Sequence, residues 1–398
     1  MTTTFIKGGP IFDVAAGAFV EDRAIVVEGE RIAEIAPLSA LPAESGARVV
    51  DVAGRHLLPG LIDSHYHLMS RSQPEVTDDR ITLSVLEAVK TSRQAIEAGL
   101  TTVRDPGCKH LGIFTLRDEI AAGRVIGPRA YVAGPNVTGS FASPEWRNAF
   151  ADGPDEVRKV VRKAVLAGAD FIKLILSHEP PADDWRRLVR FLTDAEIEAA
   201  VSEAHAIGRP LGCHCEGIEA ARAAVEAGMD TLDHGTVIDE ALAARMAERG
   251  TALVPTLWAY RVETQIGWGV FGEDQRERYE REFRAEHLAA FRNAVAAGVT
   301  IGAGSDSIIE NPERDATVLE LEALRDAGLP PADVLRAATI NGARIIGLED
   351  RIGSLEAGKL ADVIAVDGDP LSDLRVLERP AFVIKAGTSL IENSQFVV

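Results

Sequence analysis

Two histidines one residue apart, His65 and His67 in LLPGLIDSHYHL, are the first residues whose spacing suggests chemistry. In an extended segment residues i and i+2 share a face, so both imidazoles point to one side and can bind one cation. Three more polar residues close short apolar runs: His214 in GCHCEG, His234 in TLDHGT and Asp306 in GAGSDS, while Lys173 lies inside GADFIKLIL. Each has a plainer reading by itself. A histidine is often a satisfied, partly buried side chain, a lysine at a core edge snorkels to water, and an aspartate at a strand end caps the next helix. Six such groups converging on one mouth would lack a counter-ion, and this joint placement favours metal binding.

The elements that must position them follow from periodicity. From Leu57 onward, short apolar runs alternate with stretches of helical period, the pattern of a parallel sheet. The predicted strands are Gly60–His67, Leu100–Asp105, Arg129–Gly134, Asp170–Leu176, Pro210–His214, Asp230–His234, Thr251–Thr256 and Thr300–Asp306. Between them lie predicted helices such as Leu83–Ala98, Glu156–Ala167, Asp194–Ile207, Gly217–Ala227, Asp239–Arg249 and Glu282–Ala297, several stopped by a glycine suited to a left-handed C-cap. Two more helical segments follow, around Thr317–Ala327 and over Pro331–Leu348. The expected fold is α/β, a TIM-like (β/α)8 barrel over residues 57–350, with the active site at the C-terminal ends of the strands. Both chain ends are β-rich, so residues 1–56 and 351–398 are expected to form a small β-sandwich domain together.

The chain has 398 residues, enough for a barrel with an attached domain. Its formal charge of −19 repels phosphate backbones and anionic lipid, so neither a nucleic-acid nor a membrane partner is expected. No apolar run reaches the ~18 residues of a membrane span, and the N-terminus lacks a secretory pattern. A cytoplasmic location, a small-molecule substrate and a homo-oligomer are expected. Cys108, Cys213 and Cys215 are too few and too badly spaced for a disulfide framework.

On these motifs, with VPTLWAY and ATINGARIIGLEDRIGSLEAGKLADVIAVDGDP, the chain resembles the amidohydrolase superfamily. Within it, the similarity is to binuclear metal-dependent amidases that include prolidase-like dipeptidases and Xaa-Arg/Lys carboxypeptidases. The resemblance implies a carbamylated Lys173 and two divalent ions, zinc by preference. His65, His67, Lys173 and Asp306 would hold one, and Lys173, His214 and His234 the other. It further implies that a metal-bridging hydroxide attacks an amide bond of peptide or N-acyl amino acid type, with Asp306 shuttling the proton. Carbamate, lactam, lactone or ester substrates are alternatives on the same centre. A mononuclear heterocycle deaminase is disfavoured, since deaminases of the superfamily usually lack the lysine and carry Glu three positions after the strand-five histidine, where this chain has Gly217.

Tyr260 resembles the family tyrosine that hydrogen-bonds the substrate carbonyl. His178 and Glu179 are further candidates for substrate binding or proton transfer, His178 being taken as a catalytic candidate; Cys215 and Glu216 could orient the adjacent ligand. Trp258, Trp268 and Phe271 could line an apolar pocket. The sequence departs from its relatives after the lysine, where SHEPPADDW replaces a small-residue stretch, and after strand three, where NVTGSFASPEW lacks a histidine. Prolines and acidic side chains there predict a preference for substrates other than Xaa-Pro dipeptides.

Overall fold

The computed structural model describes residues 3–42, 46–69, 78–108, 110–142, 148–177, 188–261, 276–307 and 314–397. Seven of the expected strands form as Leu61–Asp63, Leu100–Asp105, Arg129–Val132, Ile172–Ile175, Leu211–Cys215, Thr231–His234 and Ala252–Val254. Six of them are nearly continuous runs of buried residues, as strands covered on both faces require, while Arg129–Val132 alternates buried and partly buried positions. The first three pair in parallel in chain order, as do the last four.

The eighth expected strand shrinks to one parallel bridge between Ile301 and Leu253. Its glycines show why it packs so closely: a Cβ on Gly304 would meet His65 Cβ at 2.7 Å, and one on Gly302 would meet Ile345 at 2.3 Å. Ser64 N donates to Ala303 O at 2.7 Å, linking this segment to the first strand. Asp170 N donates to Val132 O at 2.9 Å, linking the third strand to the chain entering the fourth. Two short strands not expected from periodicity, Asn136–Thr138 and Asn148–Phe150, pair with each other, and Val137 pairs with Leu174.

The helices stand close to their expected places: Asp78–Glu97, Pro154–Ala167, Asp194–Ala206, Ile218–Ala227, Glu240–Arg249, Ala285–Ala296 and Ala316–Asp326. A capping box between Thr193 and Glu196 starts one of them, and Gly168, at φ 114°, ends another. The expected helix Pro331–Leu348 is instead two, Pro331–Ala337 and Ile340–Ile345. The break has a cause in the sheet. The carbonyls of Ala337 and Ala338 accept from Ala303 N and Ile62 N, at 3.1 and 2.8 Å, so they leave the helical ladder.

The two chain ends meet in a seven-stranded sheet whose order brings Ile11–Asp13 and His56–Pro59 beside Val363–Val366 and Phe382–Lys385. Its alternation sends Leu57, Val363 and Ala365 into one cluster shared with the N-terminal four-stranded sheet. Leu58, Ile364 and Val366 point the other way, into the large core that also packs the parallel strands. Among the described residues no helix is long and apolar enough to cross a membrane.

Candidate metal centre

His65 and His67 follow directly on the strand Leu61–Asp63, and Asp306 stands five residues beyond the bridge at Ile301. Backbone and side chain both join them. Asp306 N donates to His65 O at 2.8 Å, and Asp306 Oδ1 lies 3.3 Å from His67 Nε2 and 3.5 Å from His65 Nε2. Ligand atoms of the three residues lie within 4.8 Å of one another, an arrangement able to hold a metal ion. Asp63, one pleat earlier, braces them: its carboxylate accepts from His65 N at 3.0 Å, from Ser305 N at 3.2 Å and from Thr317 Oγ1 at 2.8 Å. Burial nevertheless raises its pKa to about 7.

His214 closes the strand Leu211–Cys215 with Cys215 after it, and His234 ends the neighbouring strand; their ring centroids are 4.5 Å apart. His234 is also 5.0 Å from His65, so the two groups of histidines adjoin. Its φ of 72° is left-handed, and its Nδ1 is held by Thr256 Oγ1 at 2.7 Å. Lys173 points into the same interior from the strand Ile172–Ile175 and is hydrogen-bonded to Asp233 Oδ2. Asp233 in turn pairs with Arg104 Nη1 at 3.1 Å.

These residues satisfy the chemistry a divalent cation demands. Burial lowers the pKa of His65 and His234 and takes His214 down to about 3, keeping the imidazoles neutral as ligands must be. Burial opposes ionisation of Asp306, yet His65, His67 and His234 bring its carboxyl well below the ordinary range. Among the described residues, His214 Nε2 and Asp306 Oδ1 are buried without a hydrogen-bond partner. Such orphaned buried polar atoms need a partner. Burial lowers Lys173 as well, with Arg104 adding to the effect and Asp233 opposing it, which favours the neutral amine that carbon dioxide requires.

Tyr260 is buried beside the histidines, its ring 5.5 Å from that of His234, and its hydroxyl donates to Glu216 Oε1. Glu216 Oε1 lies 3.5 Å from His214 Nε2, so this carboxylate stands between the tyrosine and the ligand. Cys215 turns into the large core with Cys213, and its hydrogen bond to Cys213, together with burial, raises its thiol pKa. Trp258 packs on Ala316 and Leu319, and its backbone N–H donates to the buried Glu320 Oε2 at 2.7 Å; it anchors the chain after the seventh strand. His178, Glu179, Trp268 and Phe271 lie outside the described residues.

Asp63, Asp233, Arg104 and Thr256 were not picked out by the sequence reading. Two of them carried a usable signal. Asp63 shares the i, i+2 face of His65 and His67, and Asp233 immediately precedes His234. Arg104 and Thr256 become relevant only through contacts between strands.

Residues 56–390 match the Amidohydrolase family. The ochratoxinase of Aspergillus niger is 28% identical over 365 residues, covering 82% of this chain and 73% of its own. Among solved structures, a Xaa-Pro dipeptidase with methionine bound in its active site has 28% identity and a TM-score of 0.85, covering 98% of this chain and 99% of that one. A putative prolidase from Bifidobacterium longum has 29% identity and a TM-score of 0.85, covering 98% and 95% respectively.

Proposed function

This chain belongs to the amidohydrolase family and is a metal-dependent hydrolase of amide carbon–nitrogen bonds, and on that premise we propose that it works with two divalent cations and a carbamylated lysine. The observation that carries this reading is the convergence of His65, His67 and Asp306 with Lys173, His214 and His234 in one buried interior. His65, His67, Lys173 and Asp306 would hold one cation, and Lys173, His214 and His234 the other, zinc suiting this nitrogen and oxygen set. Bound there, divalent cations supply an activated water near neutral pH and polarise the scissile carbonyl.

The residues of the chain perform the remaining steps. Lys173, whose pKa burial lowers, would as its neutral amine give its lone pair to the carbon of carbon dioxide; the new N–C bond forms, one C=O pair moves onto oxygen, and an N–H proton passes to a base of the solvent. Asp306 stays ionised and can take the proton of the attacking water, then return it to the leaving amine. Tyr260 carries a phenolic donor that can turn from Glu216 to the oxygen of the substrate carbonyl as negative charge develops on it.

The same reading takes the parallel strands as a closed (β/α)8 barrel over residues 57–350. The hydrogen bonds from Ser64 to Ala303 and from Asp170 to Val132 support it. The terminal sheets are read as a β-sandwich of residues 1–56 and 351–398, supported by the cluster common to both sheets. On this reading the chain crosses from one unit to the other at the strand His56–Pro59, which pairs with Ile11–Asp13 and Val363–Val366. A cytoplasmic location accords with three cysteines that form no disulfide among the described residues, and homo-oligomeric assembly is to be measured by sedimentation.

Relatives named for ochratoxin and for Xaa-Pro dipeptides support an N-acyl amino acid or dipeptide as substrate. The test is a screen of zinc-loaded protein against N-acyl amino acids, Xaa-Pro and Xaa-Arg dipeptides, carbamates, lactams and lactones. Turnover of an amide class above all others is expected. Preference for lactones or carbamates would overturn the substrate assignment.

A further inference from the structure

We propose that Asp233 is a positioning residue that orients His65 and Lys173 together, anchored by Arg104, so that one buried carboxylate sets up both cation positions. The proposal rests on the two-cation reading and concerns residues to which that reading gives no part.

Asp233 is fully buried, and its two oxygens are divided between partners. Oδ1 accepts from Arg104 Nη1 at 3.1 Å. Oδ2 accepts from Lys173 Nζ and faces His65 Nδ1 at 3.4 Å. Arg104 is 2% exposed, donates a second bond to Ser64 O at 2.9 Å, and lies over the Phe171 ring at 4.5 Å. Position 212 must be glycine for it to fit, since a Cβ there would stand 2.0 Å from Arg104 Nη2. The guanidinium is thus held on three sides and holds the carboxylate in turn.

This arrangement has consequences for both ligands. A carbamylated lysine keeps a single N–H, and a carboxylate that accepts it leaves both carbamate oxygens free for cations. A carboxylate facing His65 Nδ1 favours the tautomer protonated there. That tautomer leaves Nε2 bare, the nitrogen 3.5 Å from Asp306. A buried Asp–Arg pair contributes little to stability by itself; its use here is orientation. Asn at position 233 would keep its oxygen on Arg104 and turn an N–H donor toward Lys173 and His65, setting donor against donor.

The experiment is native mass spectrometry of zinc- and bicarbonate-loaded parent and Asp233→Asn. The parent should carry two zinc ions and the added mass of one carbon dioxide. The folded variant should lose the carbon dioxide and bind zinc ~10–100-fold more weakly. A parent with one zinc and no added mass overturns the two-cation reading and this proposal with it. A parent with both, and a variant equally loaded at equal affinity, overturns the proposal alone. Because the variant leaves Arg104 without its counter-ion and can fail to fold, nitrogen-15 NMR of the unaltered holoenzyme supplies a second readout. A proton on His65 Nδ1 is expected, and one on Nε2 overturns the proposal.

Discussion

The backbone N–H of Asp306 donates to the carbonyl of His65 at 2.8 Å, joining the segment beyond Ile301 to the one beyond the strand Leu61–Asp63. Asp306 takes a left-handed φ of 49° there. A non-glycine residue in that region is held by its surroundings, and here the result is a carboxylate turned back onto both histidines. The strain lies at the residue proposed to move the proton.

Asp306→Asn should therefore lower kcat by roughly a thousandfold or more while the thermal transition of the protein stays cooperative. An amide keeps the size of the side chain and loses its ability to accept and return a proton. Steady-state kinetics beside calorimetry check this. A nearly normal kcat would assign proton transfer to another group, with His178 tested next.

Chelation should abolish activity, and restoring it should take zinc and bicarbonate together. Zinc in buffer freed of carbon dioxide should leave most of the activity unrecovered, because an uncarbamylated amine offers a single nitrogen and no bridge. Lys173→Ala should recover under neither condition. Full recovery with zinc alone in that buffer would remove the carbamate from the mechanism.

Tyr260→Phe keeps the ring that packs against His234 and His287 and deletes the hydroxyl bound to Glu216. A fall in kcat of about a hundredfold with little change in KM is expected for a donor used in the transition state. A change confined to KM would make Tyr260 a substrate-binding group.

Asp63 links stability to pH in an unusual direction. Its folded pKa, about 7, is above the ordinary 3.8 because burial disfavours the charge, so the folded state holds the proton more tightly than the unfolded one. Its contribution is whole below pH ~4 and is lost as pH rises toward 7. Three units correspond to ~4 kcal/mol. In metal-free protein, the stability of the parent should fall by that order relative to Asp63→Asn between pH 4 and 7. Denaturant titrations showing a constant difference over this range would mean that Asp63 is ionised throughout.

The chain from Ser177 to Trp185 should govern which amide is accepted. Acidic residues in SHEPPADDW would repel a substrate carboxylate and attract a basic side chain. Comparing kcat/KM for Xaa-Pro, Xaa-Arg, N-acyl and carbamate substrates in the parent and in His178→Ala and Glu179→Ala should show a changed ranking and no preference for Xaa-Pro. An unchanged ranking would move specificity to the surroundings of Tyr260 and Trp258.

Read along the chain, local pattern already determined much of this protein. The His-x-His spacing, the apolar runs ending in His214 and His234, and the glycines that stop helices before the next strand are each set within a few residues. Periodicity and capping act over that range. Tertiary structure decided the rest, because the relevant forces join residues far apart in sequence. The helix expected through Ala338 breaks because Ile62 and Ala303 claim its carbonyls. Arg104 and Asp233, 129 positions apart, form one ion pair that no local pattern contains. Tyr260 and Glu216, each lying past the end of its strand, meet only once the sheet sets those strands on either side of Thr231–His234. Strand ends and ligand types were legible in the sequence because they depend on neighbours along the backbone. The bracing of those ligands was not, since it depends on which buried charges the folded sheet brings within reach.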